Sequence, residues 1–559
     1  MRNALRQPLT WILLMAAGLR LAGLFWGLPG SDGWDDDGFA PRNFLTALAL
    51  TWKPGAFFTY PPLHAILLAA PSLPVMAWAL AHASSLHPAD VIATITQPKY
   101  MTYFAVVARL VSIVMSLGII WAIGEMAKLV AGRRAGLFAA GACALGVGLT
   151  YYGQVSNLDV PSLFWAVLAL WQAMRAVAQY APRRFWWAAL CTAAAIATKD
   201  QAYALFALSV PLWLGLWFAA DAWPRRKAGR IIVTLLAAAA VAVFALLLVD
   251  GAITNWSGFV ARLHFLTGPA SHDYAEYARG PLGWWGILRD AARYFARGAG
   301  VATLALMALG LWRVGRGKYS AAAWLPLLAI LSFTICFNLT ALRTDDRFLL
   351  PQGVLAAFYI GIAADWLLSL GPRALAWAIR AALATIALLA LHGAMGVTAA
   401  MVWDPRYEAA RWLSFQARPG DGIEVYDRNW LLPHLPPSAH AWRVGLGDLK
   451  MRSPMPGITE LRQPFAAIAV RRPRFVVISR VWARRWLEMP RDLPPGRIYS
   501  PLERRDFADA PSHAFFIALT DGRLGYRLVH VARPANGFWP RLHIHDSLNE
   551  AIGIYERRP

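Results

Sequence analysis

The chain has 559 residues, 58% of them hydrophobic and only 15% charged, with a mean hydropathy of +0.42. A soluble globular chain carries about a quarter charged residues. This composition therefore excludes an ordinary soluble enzyme, whose core would explain one or two long apolar stretches but not the roughly ten seen here. The net charge of +22 does not point to nucleic acid, because much of it lies in short clusters: Arg133–Arg134, Arg183–Arg184, Arg225–Arg226–Lys227 and Arg313 to Lys318. Such clusters mark the cytoplasmic ends of membrane spans.

In chain order, Met1 to Thr10 carries two Arg and precedes the apolar run Trp11 to Leu28. That run lacks a small-x-small cleavage site and reads as a retained first span. A loop over 29–61 follows. Further spans are expected near 62–82, 101–123, 136–151, 160–179, 185–198, 201–220, 231–250, 299–313, 321–341, 348–370 and 374–402. Stretches such as Ile231 to Val249 and Val354 to Leu370 are close to the roughly 20 residues a spanning helix needs. Placing the basic clusters inside leaves a parity conflict around 62–82. Either that segment is re-entrant, or the linker 83–100 hides a crossing, or a short pair is miscounted, so the pattern gives 11 to 13 spans.

After Trp403 the character changes. About 155 residues rich in Pro, Arg and Asp hold no 20-residue apolar run. Glu408 to Gln416 has helical spacing, Arg418 to Gly422 is a turn, and Ile423–Tyr426 and Phe475–Ile478 read as strands. The fold class expected is an α-helical polytopic membrane protein over 1–403, with a small C-terminal α/β extracytoplasmic domain over 404–559. Cys143, Cys191 and Cys336 lie singly in apolar stretches and suggest neither a disulfide framework nor a metal site. The 27 Trp include many near span ends, as an interfacial belt would place them.

Ionisable residues within or beside a bundle are costly in lipid, so they are functional candidates. Asp35-Asp36-Asp37 lies in the first loop, where adjacent carboxylates raise one another's pKa. It reads as a general base or a divalent-metal ligand, or else as a solvated acidic turn capping a helix that begins near Phe39. Tyr60-Pro61-Pro62-Leu63-His64 gives the next helix a rigid start, with His64 a ligand, an acid/base or a structural residue. Asp159, in Asn157-Leu158-Asp159-Val160-Pro161, and Lys199, in Thr198-Lys199-Asp200, either hold a polar substrate or pair with each other. Arg343 and Arg347, in Arg343-Thr344-Asp345-Asp346-Arg347-Phe348-Leu349-Leu350-Pro351, suit a phosphate at the lipid surface or anchor the span by snorkelling.

These motifs, in this order, resemble the polytopic GT-C glycosyltransferases that use polyprenyl-phosphate sugars, in particular the protein O-mannosyltransferases and the lipid A aminoarabinose transferase. The family frame is an Asp-Glu pair followed by an aromatic and a small residue, matched by Asp35-Asp36 with Phe39-Ala40. A Pro-Pro-Leu start follows, here after Tyr60. Then come an Asp-Pro-like turn before Phe-Trp (Asp159-Val160-Pro161, Phe164-Trp165), a Thr-Lys (Thr198-Lys199) and an Arg-Tyr-Leu-Leu-Pro (Arg347 to Pro351). The tail from Arg406 to Tyr426 looks like the start of these enzymes' outer soluble domain. The resemblance spans nearly the whole chain through short motifs. It departs from the family at Asp36, where Glu is usual, and at Tyr60, where His or Lys is usual.

The resemblance implies inverting transfer of a sugar from a polyprenyl-phosphate donor to a lipid, glycan or protein acceptor, on the outer side of the inner membrane. Asp35 is then the base, with Asp36 beside it. Asp37, Tyr60, His64, Asp159, Lys199, Arg343 and Arg347 bind substrate, and the loop 251–298 (His264, His272, Asp273, Tyr274, Glu276) closes over the site. No cofactor is implied, and a divalent metal at the acidic loop stays one of the open readings. A transporter or flippase of a lipid-linked precursor is the rival. It would need no soluble domain, and it predicts repeated halves that the sequence does not show.

Overall fold

The computed structural model describes residues 7–559 apart from 30–32, 36, 37, 40, 221–224, 318, 427, 446–456, 489, 535, 536, 541, 543 and 546. Most of the chain up to Val402 is helical, because in lipid each backbone N–H and C=O must find its partner within the segment. Eight described helices are long and apolar enough to cross a membrane, or nine if the bent pair Pro281–Gly298 and Val301–Arg316 counts as one span. The protein is multi-pass. The higher expected count arises from segments that end early. The stretch 136–151 breaks at Leu145–Gly146 into Arg133–Ala144 and Val147–Tyr152, and Arg184–Ile196 has only 13 residues. The linker 83–100 holds the eight-residue helix Pro88–Ile95, too short to cross.

Helix contacts in the bundle depend on small residues, since lipid offers no hydrophobic gain for helix association. A Cβ on Gly310 would stand 2.0 Å from the carbonyl oxygen of Tyr359, and one on Gly361 would stand 2.5 Å from that of Ala135. The backbones of Val301–Arg316 and Leu350–Leu367 thus touch directly. Gly310→Val is expected to lower thermal stability by several degrees in detergent, and an unchanged melting temperature would mean that these helices do not pack this closely. Between Arg133–Ala144, Leu350–Leu367 and Arg373–Val402 lies an apolar cavity of about 630 Å³. Phe138, Leu149, Phe295, Val354 and Leu383 are among its lining residues, with Asp346 among the few charged ones.

Past Val402 the chain forms helix Pro405–Gln416 and a six-stranded sheet: β1 Gly422–Val425, β2 His440–Gly445, β3 Thr459–Arg462, β4 Phe475–Ser479, β5 Tyr526–Ala532 and β6 Ile552–Arg557. The strand order is β3-β2-β1-β4-β6-β5, with the first four parallel and β6 antiparallel to both neighbours. β4 is central and buried at every residue, as its unbroken apolar run requires when helices cover both faces. Ala409 and Leu413 of the first helix pack on one face with Ile423, Phe475 and Ile554. Trp482, Phe515 and Phe516 pack on the other with Val444 and Val476.

Candidate active site

The first loop is held by its surroundings rather than by its own hydrogen bonds. Arg109, fully buried in helix Pro98–Ala131, donates through one Nη to the carbonyls of Leu24 and Trp26, both at 2.8 Å. Trp26 Nε1 donates to Asp404 at 2.9 Å and Trp34 Nε1 to the carbonyl of Leu432 at 2.8 Å, so the soluble domain grips both ends of the turn. Asp35 follows Trp34 and is 4% exposed. Its Oδ2 accepts from the backbone N–H of Ser156 at 2.6 Å and from the Ser156 hydroxyl at 3.0 Å. Two residues past the acidic run, Phe39 N–H returns a bond to the Ser156 carbonyl at 2.7 Å. Asp36 and Asp37 lie outside the described residues.

Ser156 opens the turn that carries Asp159. Asn157 Oδ1 accepts the Asp159 N–H at 3.1 Å, a local bond that starts the helix Asp159–Ala178. The Asp159 carboxylate receives Lys199 Nζ on one oxygen at 2.5 Å and Arg347 Nε on the other at 2.8 Å. The expected Asp159–Lys199 pair is therefore present, and Arg347 joins it. One carboxylate thus gathers two cations, with all three side chains at least four-fifths buried. Lys199 is placed by the turn after Arg184–Ile196, where the Ala197 carbonyl accepts the N–H of Leu63 at 3.0 Å. Five sequence motifs thus meet here. The Asp35 loop rests on Ser156, the Pro-Pro-Leu segment on Ala197, and Lys199 and Arg347 on Asp159. Three residues of chain span at most about 11 Å, so Asp35 and the ion cluster share one small region.

The remaining candidates sit at varying distance from that centre. Arg343 stacks on the rings of Phe348, at 4.6 Å, and Tyr274, at 5.1 Å, and Arg347 lies 5.8 Å from the other member of this stack, Phe348. Asp346, next to Arg347, is pushed up to about 7 by burial and by the neighbouring Asp345. Tyr60 and His64 both pack against Phe39, with ring centroids at 6.1 and 5.9 Å. His64 is fully buried and neither ring nitrogen has a hydrogen-bond partner, so it stands behind Phe39 rather than with the cations.

The loop 251–298 divides in the same way. Tyr274 lies under Arg343, and Glu276 N–H donates to the Leu342 carbonyl at 3.0 Å. The Glu276 carboxylate, which burial pushes up, accepts from Arg497 of the soluble domain at 3.0 Å. Asp273 instead pairs with Arg505 at 3.5 Å and His272 faces Arg279 at 3.5 Å, while His264 belongs to the separate helix Trp256–Thr267. Among the described residues no group of three His, Cys, Asp or Glu is arranged to hold a metal ion.

Four important residues carry little sequence signal. Ser156 directly precedes the Asn-Leu-Asp turn but offers only a backbone N–H and a hydroxyl. Arg109 is detectable as a cation well inside an apolar 34-residue helix whose other cations, Lys99 and Lys128, lie near its ends. Asp404 and Arg406 look like an ordinary helix start, and Asp404 does cap Pro405–Gln416 by accepting the Arg406 N–H at 2.9 Å. The pair is also fully buried, with Arg406 over the Trp34 ring at 4.2 Å and donating to the carbonyls of Trp430 and Ser547. Removing one partner of a buried ion pair costs about 3–5 kcal/mol. Asp404→Asn is therefore expected to loosen the soluble domain from the first loop, read as faster limited proteolysis near residue 404 with the spans intact.

No protein-family model matches the chain, and no curated protein matches it in sequence. Solved structures do match. ArnT from Cupriavidus metallidurans in the apo state superposes with a TM-score of 0.51 at 14% identity, over 87% of this chain and 96% of that one. The same protein bound to undecaprenyl phosphate gives 0.48 at 13% identity, over 98% and 97%. The Archaeoglobus fulgidus oligosaccharyltransferase AglB, in complex with an inhibitory peptide and a dolichol-phosphate, gives 0.45 at 13%, over 98% and 88%. The first of these carries the assignment: the chain has a GT-C-like membrane fold.

Proposed function

We propose that this chain is an inverting glycosyltransferase that moves a sugar from a polyprenyl-phosphate donor to an acceptor on the outer face of the inner membrane. The observation that carries the reading is the convergence on one turn. A carboxylate, Asp35, is held by Ser156, and three residues later Asp159 gathers Lys199 and Arg347. In this mechanism Asp35 takes the proton of an acceptor hydroxyl or amine. The acceptor forms a bond to the anomeric carbon, and the bond from that carbon to the phosphate oxygen breaks with its electron pair. Negative charge grows on the departing polyprenyl phosphate, next to the cations Lys199 and Arg347. A single displacement inverts the anomeric configuration, and no second carboxylate is needed as nucleophile.

In this reading Asp36, in the place of the family's second acidic residue, orients the acceptor or the base, and Asp37 binds substrate. Arg343 adds a further cation against Phe348, and Tyr60 and His64 pack on Phe39. The apolar cavity is suited to the polyprenyl tail. Leu349 and Leu350, which line it, lie two and three residues after Arg347 in the chain, so a phosphate at Arg347 leaves its tail beside the cavity. The membrane, the loop 251–298 and the soluble domain, bridged by Glu276–Arg497, then enclose the reacting groups.

The test is turnover of a radiolabelled polyprenyl-phosphate sugar by the purified protein, with the product's anomeric configuration read by NMR. Transfer or hydrolysis with inversion supports the reading. Retention would overturn the single-displacement mechanism, and donor binding without turnover over a range of acceptors would favour a carrier.

A further inference from the structure

Helix Val147–Tyr152 lies between the apolar cavity and the ion cluster. Its first three residues, Val147, Gly148 and Leu149, line the cavity. Its last, Tyr152, is 1% exposed, and its hydroxyl has no hydrogen-bond partner. The ring is fixed edge-on against Tyr151 at 4.8 Å, and the charged groups acting on the hydroxyl are Arg347, Asp345 and Asp159. Leaving a buried hydroxyl unpaired costs about 1–3 kcal/mol, whereas phenylalanine of the same shape would carry no such cost. Its neighbour Tyr151 shows the contrast, since that hydroxyl meets the Ser547 hydroxyl at 2.9 Å. Asp159 receives Lys199 and Arg347 on its two oxygens, and the Tyr152 hydroxyl bonds neither of them. What fits the Tyr152 O–H is an anionic acceptor that arrives from outside the protein.

We propose that the Tyr152 hydroxyl is a phosphate-binding donor, which hydrogen-bonds the phosphate oxygen of a polyprenyl phosphate seated at Arg347 with its tail in the cavity. This rests on the glycosyltransferase reading and adds a residue to it. A hydrogen bond to a charged group contributes about 1.5–3 kcal/mol, so deletion reads as a loss of about 10- to 100-fold in affinity.

The experiment compares wild type, Tyr152→Phe and Tyr151→Phe in nanodiscs, measuring the binding of undecaprenyl phosphate and of uncharged undecaprenol. Tyr152→Phe is expected to lose at least about tenfold of its preference for the phosphate, to bind the alcohol as wild type does, and to melt no lower than wild type when ligand-free. Tyr151→Phe is expected to keep the preference. Equal preference in wild type and Tyr152→Phe overturns the assignment of Tyr152 alone. So does a Tyr152→Phe protein that fails to fold, because a hydroxyl with no partner in the free protein can be deleted without loss. A wild type that does not prefer the phosphate overturns the broader reading together with this one.

Discussion

Asp35→Asn is expected to slow sugar transfer at least about a hundredfold while donor binding persists. The asparagine side chain has the same shape, and its carbonyl oxygen still accepts from the Ser156 N–H and hydroxyl, so the loop keeps its place. What is lost is a group able to take a proton, and general-base catalysis contributes about 10²- to 10⁴-fold. The measurement is the initial rate of transfer from a radiolabelled polyprenyl-phosphate sugar, set against the dissociation constant for the donor. Unchanged turnover would move the base to Asp36 or Asp37. A joint collapse of binding and turnover would instead make Asp35 a structural anchor for the loop.

The second large effect belongs to Asp159. Asp159→Asn removes the single negative charge between two cations that are mostly buried. Breaking a buried pair by removing one partner costs about 3–5 kcal/mol, because the remaining charge is left without compensation. Here two charges are left, and they repel. The variant is expected to melt well below wild type and to lose transfer. The double variant Asp159→Asn/Lys199→Met takes away one of the stranded cations and is expected to regain much of the stability but none of the activity. That split separates the two jobs proposed for the cluster, since folding needs the cations compensated while transfer needs both of them present. A double variant that recovers neither would show that the three residues hold the bundle for reasons other than charge.

The sequence made much of this site legible because its members sit in short motifs with polar residues in apolar surroundings. Asp159, Lys199 and Arg347 are visible that way, and the structure brings them onto one another. What one dimension hides is which partner each has. An Asp-Lys pair that neutralises itself and a cationic cluster differ only through Arg347, which is 188 residues from Asp159 in the chain. His64 reads in sequence as a ligand, an acid/base or a structural residue, and in the structure it packs as a buried ring against Phe39. Tyr152 leaves no mark at all, since a tyrosine at the end of an apolar helix is ordinary until its hydroxyl is found without a partner. In the C-terminal part, β1 and β4 are mostly apolar and easily read, whereas β3 is polar and half-exposed at the sheet edge and has no period to detect.

The grip of the soluble domain on the first loop also sets an order of events in biosynthesis. The Asp35 loop leaves the ribosome early, but Asp404, which holds Trp26, follows 378 residues later, and Ser547, whose carbonyl holds Arg406, another 141 after that. At about 5–20 residues per second, the first interval alone lasts about 20 to 75 s. During that time Arg109 and Ser156 are already available to hold the loop, but its contacts to Asp404 and Leu432 are missing. The full set of contacts around Trp26 and Trp34 is therefore completed last, after the final spans have been threaded.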